Sequence, residues 1–311
     1  MMISVIIPVY NSSQTIGKLI EGLIENFKGK FNYEVIIVND GSKDDSEKIC
    51  KDLVNKQNNV SLYSLSKNFG EHNAVMAGLN NSKGDFAIII DDDLQNPFNS
   101  IIDLVDYGIK NSSKYDVVYA DYSNNKYGLL KRLGSKINDI TANIILKKPK
   151  ELYLSSFKII NRFTINEIIK HKSPYVYIDG LILGITNNIG SIKVEHNERQ
   201  HGQSGYTITR LIRLWLSMFT GFSIIPLRIS MVIGILLSLF GLLYSIITII
   251  EKIFYKNYPI GYASIIIFIT IFSGTILIAL GILGEYVGRI FLSLNQKPQY
   301  IIKKVEKNLK N

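Results

Sequence analysis

Asp91, Asp92 and Asp93 follow directly on the apolar run Ala87-Ile88-Ile89-Ile90, and Leu94-Gln95 follow them. Three successive carboxylates repel one another strongly unless a cation sits among them. A hard divalent ion held by one or two carboxylates plus substrate phosphates is the usual magnesium arrangement. If strand geometry continues past Ile90, Asp91 and Asp93 point to the same side. A solvated loop or a helix N-cap is the other reading of the cluster. Two more polar clusters close apolar runs: Pro8-Val9-Tyr10-Asn11 after the first, and Asn39-Asp40-Gly41-Ser42 after the second. The Asp-Gly-Ser step also suits a plain turn. Lys67-Asn68-Phe69-Gly70 closes the third run and offers a cation and a flexible backbone to a phosphate, or is an ordinary loop.

Such side chains need a frame that brings them to one edge. Strand-like runs at Ser4 to Pro8, Glu34 to Asn39, Val60 to Leu65 and Phe86 to Ile90 alternate with helical patterns near Gln14 to Asn26, Ser46 to Asn55 and His72 to Asn80. Strand, helix, strand in repetition predicts an α/β fold with a largely parallel sheet, and ligands of such sheets bind at the carboxyl ends of strands. All the clusters lie there.

The C-terminal third has another character. Ile229 to Ile250 carries no charge, and as a helix it would span roughly 33 Å against a bilayer core of about 30 Å. A second uncharged run, Pro259 to Gly284, follows a short link. The expectation is a two-helix transmembrane hairpin, with a buried soluble hairpin as the alternative. Arg210, Arg213 and Arg228 precede the first run, and Arg289, Lys297, Lys303, Lys304, Lys307 and Lys310 follow the second. The positive-inside rule then puts both termini and the polar domain in the cytoplasm. Thr207 to Ser223 mixes Arg210 and Arg213 with Leu211, Leu214, Trp215, Met218 and Phe219 at helical spacing, which suits an interfacial helix or one packed on the polar domain. The expected divisions are 1–206, a cytoplasmic domain; 207–228, an interfacial helix region; 229–290, two spans at about 229–250 and 259–284; and 291–311, a basic tail.

Composition narrows the partners. Of 311 residues, 47% are hydrophobic and one is Cys, Cys50, which excludes disorder, a disulfide scaffold and a Cys-based zinc site. The formal charge of +9 suits nucleotide phosphates or an anionic membrane surface. No basic patch interleaved with aromatics points to nucleic acid.

These motifs together resemble the membrane-anchored family 2 glycosyltransferases, which move a sugar from a nucleotide onto polyprenyl phosphate. The chain looks like the bacterial branch that includes undecaprenyl-phosphate formamido-arabinose transferase and bactoprenol glucosyltransferase, with dolichol-phosphate mannose synthase a more distant relative. The matching stretches are SVIIPVYN from Ser4, VNDGSKD from Val38, LSKNFGEHNAVMAG from Leu65, KGDFAIIIDDDLQNP from Lys83, ERQHGQS from Glu198, IPLRI from Ile225 and GILGEYVGRIF from Gly281. Their order is more specific than any single match.

The resemblance implies a GT-A fold and an inverting transfer to polyprenyl (undecaprenyl) phosphate at the inner membrane, supplying a lipid-linked sugar for the cell envelope. Pro8, Tyr10, Asn11, Asp40, Lys67 and Asp91 would hold the nucleotide sugar, with UDP favoured. Asp91, Asp93 and Gln95 would serve Mg2+ or Mn2+. Arg199 and Ser204 of the Arg-x-x-Gly-x-Ser motif would meet phosphate, since a guanidinium can hold phosphate through two hydrogen bonds. Lys131 and Arg132 in GLLKRLGSK are further candidates for donor or lipid phosphate, or a solvated helix face. Asp93, Asp92 and Arg199 form the catalytic set, and whether either Asp acts as a base stays open. Relatives also suggest a homo-oligomer.

Some residues depart from the pattern. Relatives usually carry Glu where this chain has Ser12, and Lys where it has Gly205; Ser155-Ser156-Phe157-Lys158 resembles a segment ending in Arg and commonly preceded by Asp. Pocket residues decide the substrate, so these changes bear on sugar identity. His72 and His201 read as loop or packing residues, and Glu285 and Arg289 as a structural pair. The rivals are transfer to another lipid acceptor and a non-catalytic membrane partner that keeps the fold.

Overall fold

The structure is a computed structural model that describes residues 1–122, 152–195, 197, 225–254, 261–294 and 298–308. The chain divides into two compact units: Met1–Thr207 together with Gln296–Asn311, and Ile208–Asn295.

In the first unit the chain runs β1 (Met2–Val9), α1 (Ile16–Phe27), β2 (Asn32–Asn39), α2 (Ser46–Lys56), β3 (Val60–Leu65), α3 (Glu71–Asn81), β4 (Phe86–Ile89), α4 (Phe98–Lys110) and β5 (Val117–Asp121). It continues through β6 (Lys158–Asn161), α5 (Arg162–Ile168), α6 (Ile178–Ile185) and β7 (Ile189–Lys193), and ends with β8 (Ile302–Lys307). One sheet holds all eight strands in the order β7-β5-β6-β4-β1-β2-β3-β8, in which β6 and β8 oppose the rest. The fold is α/β and GT-A-like, with a mixed, mostly parallel sheet. The four N-terminal strands and three helices stand within two residues of the ends read from sequence.

β1 lies at the centre, and Ile3 to Val9 are buried on both faces, as a strand covered by helices requires. A central strand ordinarily rejects proline. Here the Ile90 N–H donates to the Ile6 carbonyl, so even-numbered peptide groups of β1 face β4, whose ladder with β1 ends at Ile6 paired to Ile89. Pro8 falls two residues beyond that pair, where the β1–β4 ladder has ended, so its missing N–H breaks no bond within the paired stretch. Helix α1 turns Ile16, Leu19, Ile20, Leu23 and Phe27 inward, a helical period that covers one face of the sheet.

Residues 302–307, expected to be part of a basic tail, instead form an edge strand. β8 pairs antiparallel with β3, matching Ser61 to Lys307 and Tyr63 to Val305. Tyr300 and Ile302 pack on the cluster of Ile36, Val38, Tyr63, Leu65, Ala74 and Ala77.

The second unit holds α7 (Ile225–Phe254) and α8 (Tyr262–Leu294). Tyr244 of α7 and Phe268 of α8 bring their rings to 4.9 Å. Within α8, Ile271–Gly288 is long and apolar enough to cross a membrane, and none of it is buried. In α7 the apolar stretch is the shorter Ser230–Gly241. Length and composition thus single out one helix among the described residues, where two spans are expected from sequence. Most of the expected interfacial region, 207–224, lies outside the described residues.

Candidate active site

The sheet order fixes where a ligand can enter. From β1 the chain winds to β2 and β3 on one side, while β4 lies on the other, so the ends of β1 and β4 flank a topological switch point. The segments after both strands carry the polar clusters.

After β1, Tyr10 is 44% exposed and Asn11 adopts φ 55, a left-handed conformation that Asn tolerates better than most residues. This turn is tied to the loop after β2. The Asn11 N–H donates to Ser42 Oγ at 3.0 Å, and the Lys43 N–H donates to Asn11 Oδ1 at 2.8 Å. The Ser12 N–H donates to Ser46 Oγ at 2.8 Å.

Asp40, at the end of β2, is buried and accepts the N–H groups of Phe69 and Gly70 at 2.7 and 2.8 Å. Burial pushes its carboxyl above the usual range, against the pull of those two bonds. It therefore shapes the loop before α3. Gly41 makes the approach possible: its φ is +68, and a Cβ there would stand 2.6 Å from the Lys67 carbonyl carbon. Lys67 is exposed and carries its ammonium 5.3 Å from the Phe69 ring centroid.

Beyond β4 the strand geometry stops at Ile89, and the three carboxylates diverge. Asp91 accepts the Ser156 hydroxyl. Ile89 pairs with Lys158 across β4 and β6, so Asp91 and Ser156 stand opposite each other two residues further along. Burial, with Glu71 and Asp93 adding negative charge, raises Asp91 to about 7, against Ser156 and Lys158. Asp92 turns back to β1 and accepts the Tyr10 N–H at 3.1 Å and the Ser12 hydroxyl. Burial is the main cause that lifts it to about 6. Asp93 accepts the Gln95 N–H at 3.1 Å across Leu94, whose φ of 61 marks local strain in a non-glycine residue.

Gln95 reaches elsewhere. Its Nε2 donates to the Asn197 carbonyl at 3.2 Å, and the Asn197 N–H donates to the Gln95 carbonyl at 2.8 Å. Ser100 Oγ donates to the Glu195 carbonyl at 3.2 Å. The segment leading to Arg199 is thus anchored on the acidic loop, while Arg199, Ser204, Lys131 and Arg132 lie outside the described residues.

Among the described residues no three His, Cys, Asp or Glu side chains converge as a ready cation cage. The donor set does fit a hard divalent ion of the kind bound by one or two carboxylates and completed by substrate phosphates. Asp91 is half-buried and its carboxyl stands higher than that of Asp92, with Asp93 beside it.

The sequence profile of glycosyl transferase family 2 matches residues 4–169, about half of the chain. The chain belongs to this family. The undecaprenyl-phosphate 4-deoxy-4-formamido-L-arabinose transferase of Proteus mirabilis is 31% identical over 97% of this chain and 93% of its own length. An uncharacterized glycosyltransferase of Bacillus subtilis is 30% identical, with the same shares covered. A crystal structure of M. tuberculosis glucosyl-3-phosphoglycerate synthase shares the fold at TM-score 0.53 and 17% identity, over 70% of this chain and 78% of that one. Another structure of that enzyme, in complex with Mn2+ and UDP, has a TM-score of 0.51 at 17% identity, over 70% and 76% of the two chains. This chain is therefore a family 2 glycosyltransferase related to undecaprenyl-phosphate sugar transferases.

In this transferase the fold gathers Tyr10, Asn11, Asp91, Asp92, Asp93 and Gln95 around the switch point. Asp40 and Lys67 belong to the adjoining loop, and Pro8 is buried in β1. Sequence reasoning missed the polar cluster on the Asp91 side. There Lys158 and Asp179 form a buried ion pair, Tyr119 Oη donates to Asp179 Oδ1 at 2.8 Å, and the Lys158 ammonium lies 5.0 Å from the Tyr119 ring centroid. His72 packs edge-on against Tyr177 at 5.2 Å, and burial pushes its imidazole down to about 4, in keeping with its reading as a packing residue. The signal for this cluster was Lys158 itself, a charge opening a run of Ile-Ile.

Proposed function

We propose that this transferase moves a monosaccharide from a nucleotide sugar, a UDP-sugar first among the candidates, to polyprenyl phosphate at the cytoplasmic face of the membrane. The observation that carries this reading is the near full-length likeness to an undecaprenyl-phosphate sugar transferase in a chain whose acidic loop sits at the sheet's switch point. Asp91 and Asp93, with Gln95 beside them, would hold Mg2+ or Mn2+. Such an ion supplies charge stabilisation as the nucleoside diphosphate leaves. Tyr10 and Asn11 would hold the nucleotide on the β1 side. An acceptor phosphate is already an anion, so it needs positioning more than deprotonation. Arg199 and Ser204, with Lys131 and Arg132, are the groups proposed to meet phosphate. A single displacement would invert the anomeric centre.

Membrane attachment rests on the second unit. Leu236, Leu243, Leu277 and Ile278 are 60–68% exposed on α7 and α8, an apolar surface unsuited to water. The chain leaves the first unit before α7 and returns to the same sheet in β8. Any membrane crossings in between must be even in number, which supports a hairpin with both ends in the cytoplasm. The flanking Arg and Lys residues favour the same side.

The test is transfer from labelled UDP-, GDP- and dTDP-sugars into extractable lipid, with undecaprenyl phosphate and Mg2+, beside Asp93→Asn. Acid-labile labelled lipid from one donor, identified by mass spectrometry and absent with Asp93→Asn, supports the reading. A product on another lipid replaces the acceptor. No product with any donor, from folded protein that binds nucleotide, favours a non-catalytic partner.

A further inference from the structure

Of the three adjacent carboxylates, the middle one is engaged differently. Asp91 turns to Ser156 on the β6 side, and Asp93 closes its own loop on the Gln95 N–H. Asp92 crosses the switch point. One of its oxygens, Oδ2, accepts both the Tyr10 N–H and the Ser12 hydroxyl, although these residues lie about 80 positions away in sequence. The turn they belong to is already welded to the loop after β2 by Asn11 and by the Ser12 N–H. Ser46 continues that weld, donating its hydroxyl to Asp44 Oδ1 at 2.5 Å, while Asp44 Oδ2 accepts the Ser13 N–H at 3.0 Å. Asp92 supplies the matching tie from β4. Tyr10, between the two ties, keeps its side chain half exposed at the sheet edge.

We propose that Asp92, acting with Ser12, is a positioning residue that fixes the Tyr10 turn for the nucleoside diphosphate of the donor, and is neither a metal ligand nor the base. The inference rests on the functional reading above, in which Tyr10 meets the nucleotide. A charged acceptor gripping one N–H and one hydroxyl makes two charge-assisted bonds, stronger than neutral ones. The turn then enters the donor complex already ordered, so binding does not have to supply that ordering. Ser12 contributes the hydroxyl on which the tie depends.

The experiment uses the full chain in lipid nanodiscs, with Ser12→Ala, Asp92→Ala, the double variant and Ser12→Thr. Thermal melts confirm that each is folded. UDP, GDP and dTDP are titrated by calorimetry, and turnover is measured against donor and against Mn2+ concentration. Ser12→Ala and Asp92→Ala should each weaken nucleotide binding and raise donor KM about tenfold, as loss of a hydrogen bond to a charged group implies. kcat should fall by less than KM rises. The Mn2+ concentration for half-maximal turnover should stay as in the wild type. The double variant should be no worse than Asp92→Ala, because the two residues form one tie. Ser12→Thr should restore binding.

A collapse of kcat in Asp92→Ala with nucleotide binding intact would make Asp92 the base and overturn the proposal. A raised Mn2+ requirement would make it a metal ligand, and unchanged or additive KM effects would dissolve the tie. These outcomes leave the transferase reading standing. A wild-type chain that binds none of the three nucleotides overturns that reading and the inference with it.

Discussion

Ser156 donates its hydroxyl to Asp91 across 65 residues of sequence, at the point where the β4 and β6 ladder would continue. The bond holds one half-buried carboxylate at the mouth of the switch point and favours its ionised form against desolvation and the neighbouring Glu71 and Asp93. The orientation of the Asp91 carboxylate is therefore set from an antiparallel strand that enters the sheet after β5.

Ser156→Ala removes a bond to the charged form of Asp91, whose carboxyl already stands at about 7. The expected outcome is a pH–rate profile whose acid limb moves to higher pH. A loss of about tenfold near pH 6 should shrink at alkaline pH. A uniform loss at every pH would show that Ser156 does not act through Asp91 ionisation.

Lys158 and Asp179 are both nearly excluded from solvent and pair with each other, with Tyr119 donating to the same Asp179 oxygen. Removing one member leaves the other charge buried alone. Asp179→Ala should therefore cost about 3–5 kcal/mol, whereas Lys158→Met with Asp179→Leu should recover much of that loss. Denaturant melts of the two variants check this, and equal stability of the single variant and the wild type would contradict it.

The last strand gives a third expectation. β8 covers the edge of β3, Gln299 Nε2 donates to the carbonyls of His171 and Ser173 at 2.6 and 2.9 Å, and Glu306 pairs with Lys51 and Lys304. Ending the chain at residue 297 uncovers an edge strand and the apolar cluster beneath Tyr300 and Ile302. Aggregation, or a melting point lower by about 10 °C, should follow. A truncated chain that melts like the full one would make β8 dispensable.

Much of this was legible in the residues, for reasons that also mark the limit. β1 to β4 announce themselves by continuous apolar runs, and the polar steps after them by their place in a parallel sheet. The acidic loop was readable because three adjacent carboxylates have few other uses. Pairings between distant segments left no such trace. Ser156 reads as a loop serine until β6 turns against β4, and Asp92 reads as a candidate base until Ser12 faces it. β8 is Ile-Lys-Lys-Val-Glu-Lys, and its charges are what an edge strand needs while hiding it in a basic tail.

The raised acids carry a signed prediction for protein free of divalent cations. Asp91 at about 7 and Asp92 at about 6 bind protons more tightly folded than unfolded, and Asp40 is shifted the same way. Their contribution to stability is full below the ordinary carboxylate value and is lost as pH rises through about 6 to 7. The wild-type melting point should therefore fall relative to Asp91→Asn between pH 5 and pH 7.5. Added Mn2+ should raise the wild-type melting point at pH 7.5, because the proposed ion site exists only in the folded loop. At pH 5 protons compete for the same carboxylates, so the gain should shrink, and in Asp91→Asn it should be weak at both values. Melts at the two pH values, with and without Mn2+, read all four quantities. A Mn2+ gain equal in wild type and Asp91→Asn would remove Asp91 from the metal site, and a wild-type melting point that climbs with pH relative to the variant would contradict its burial.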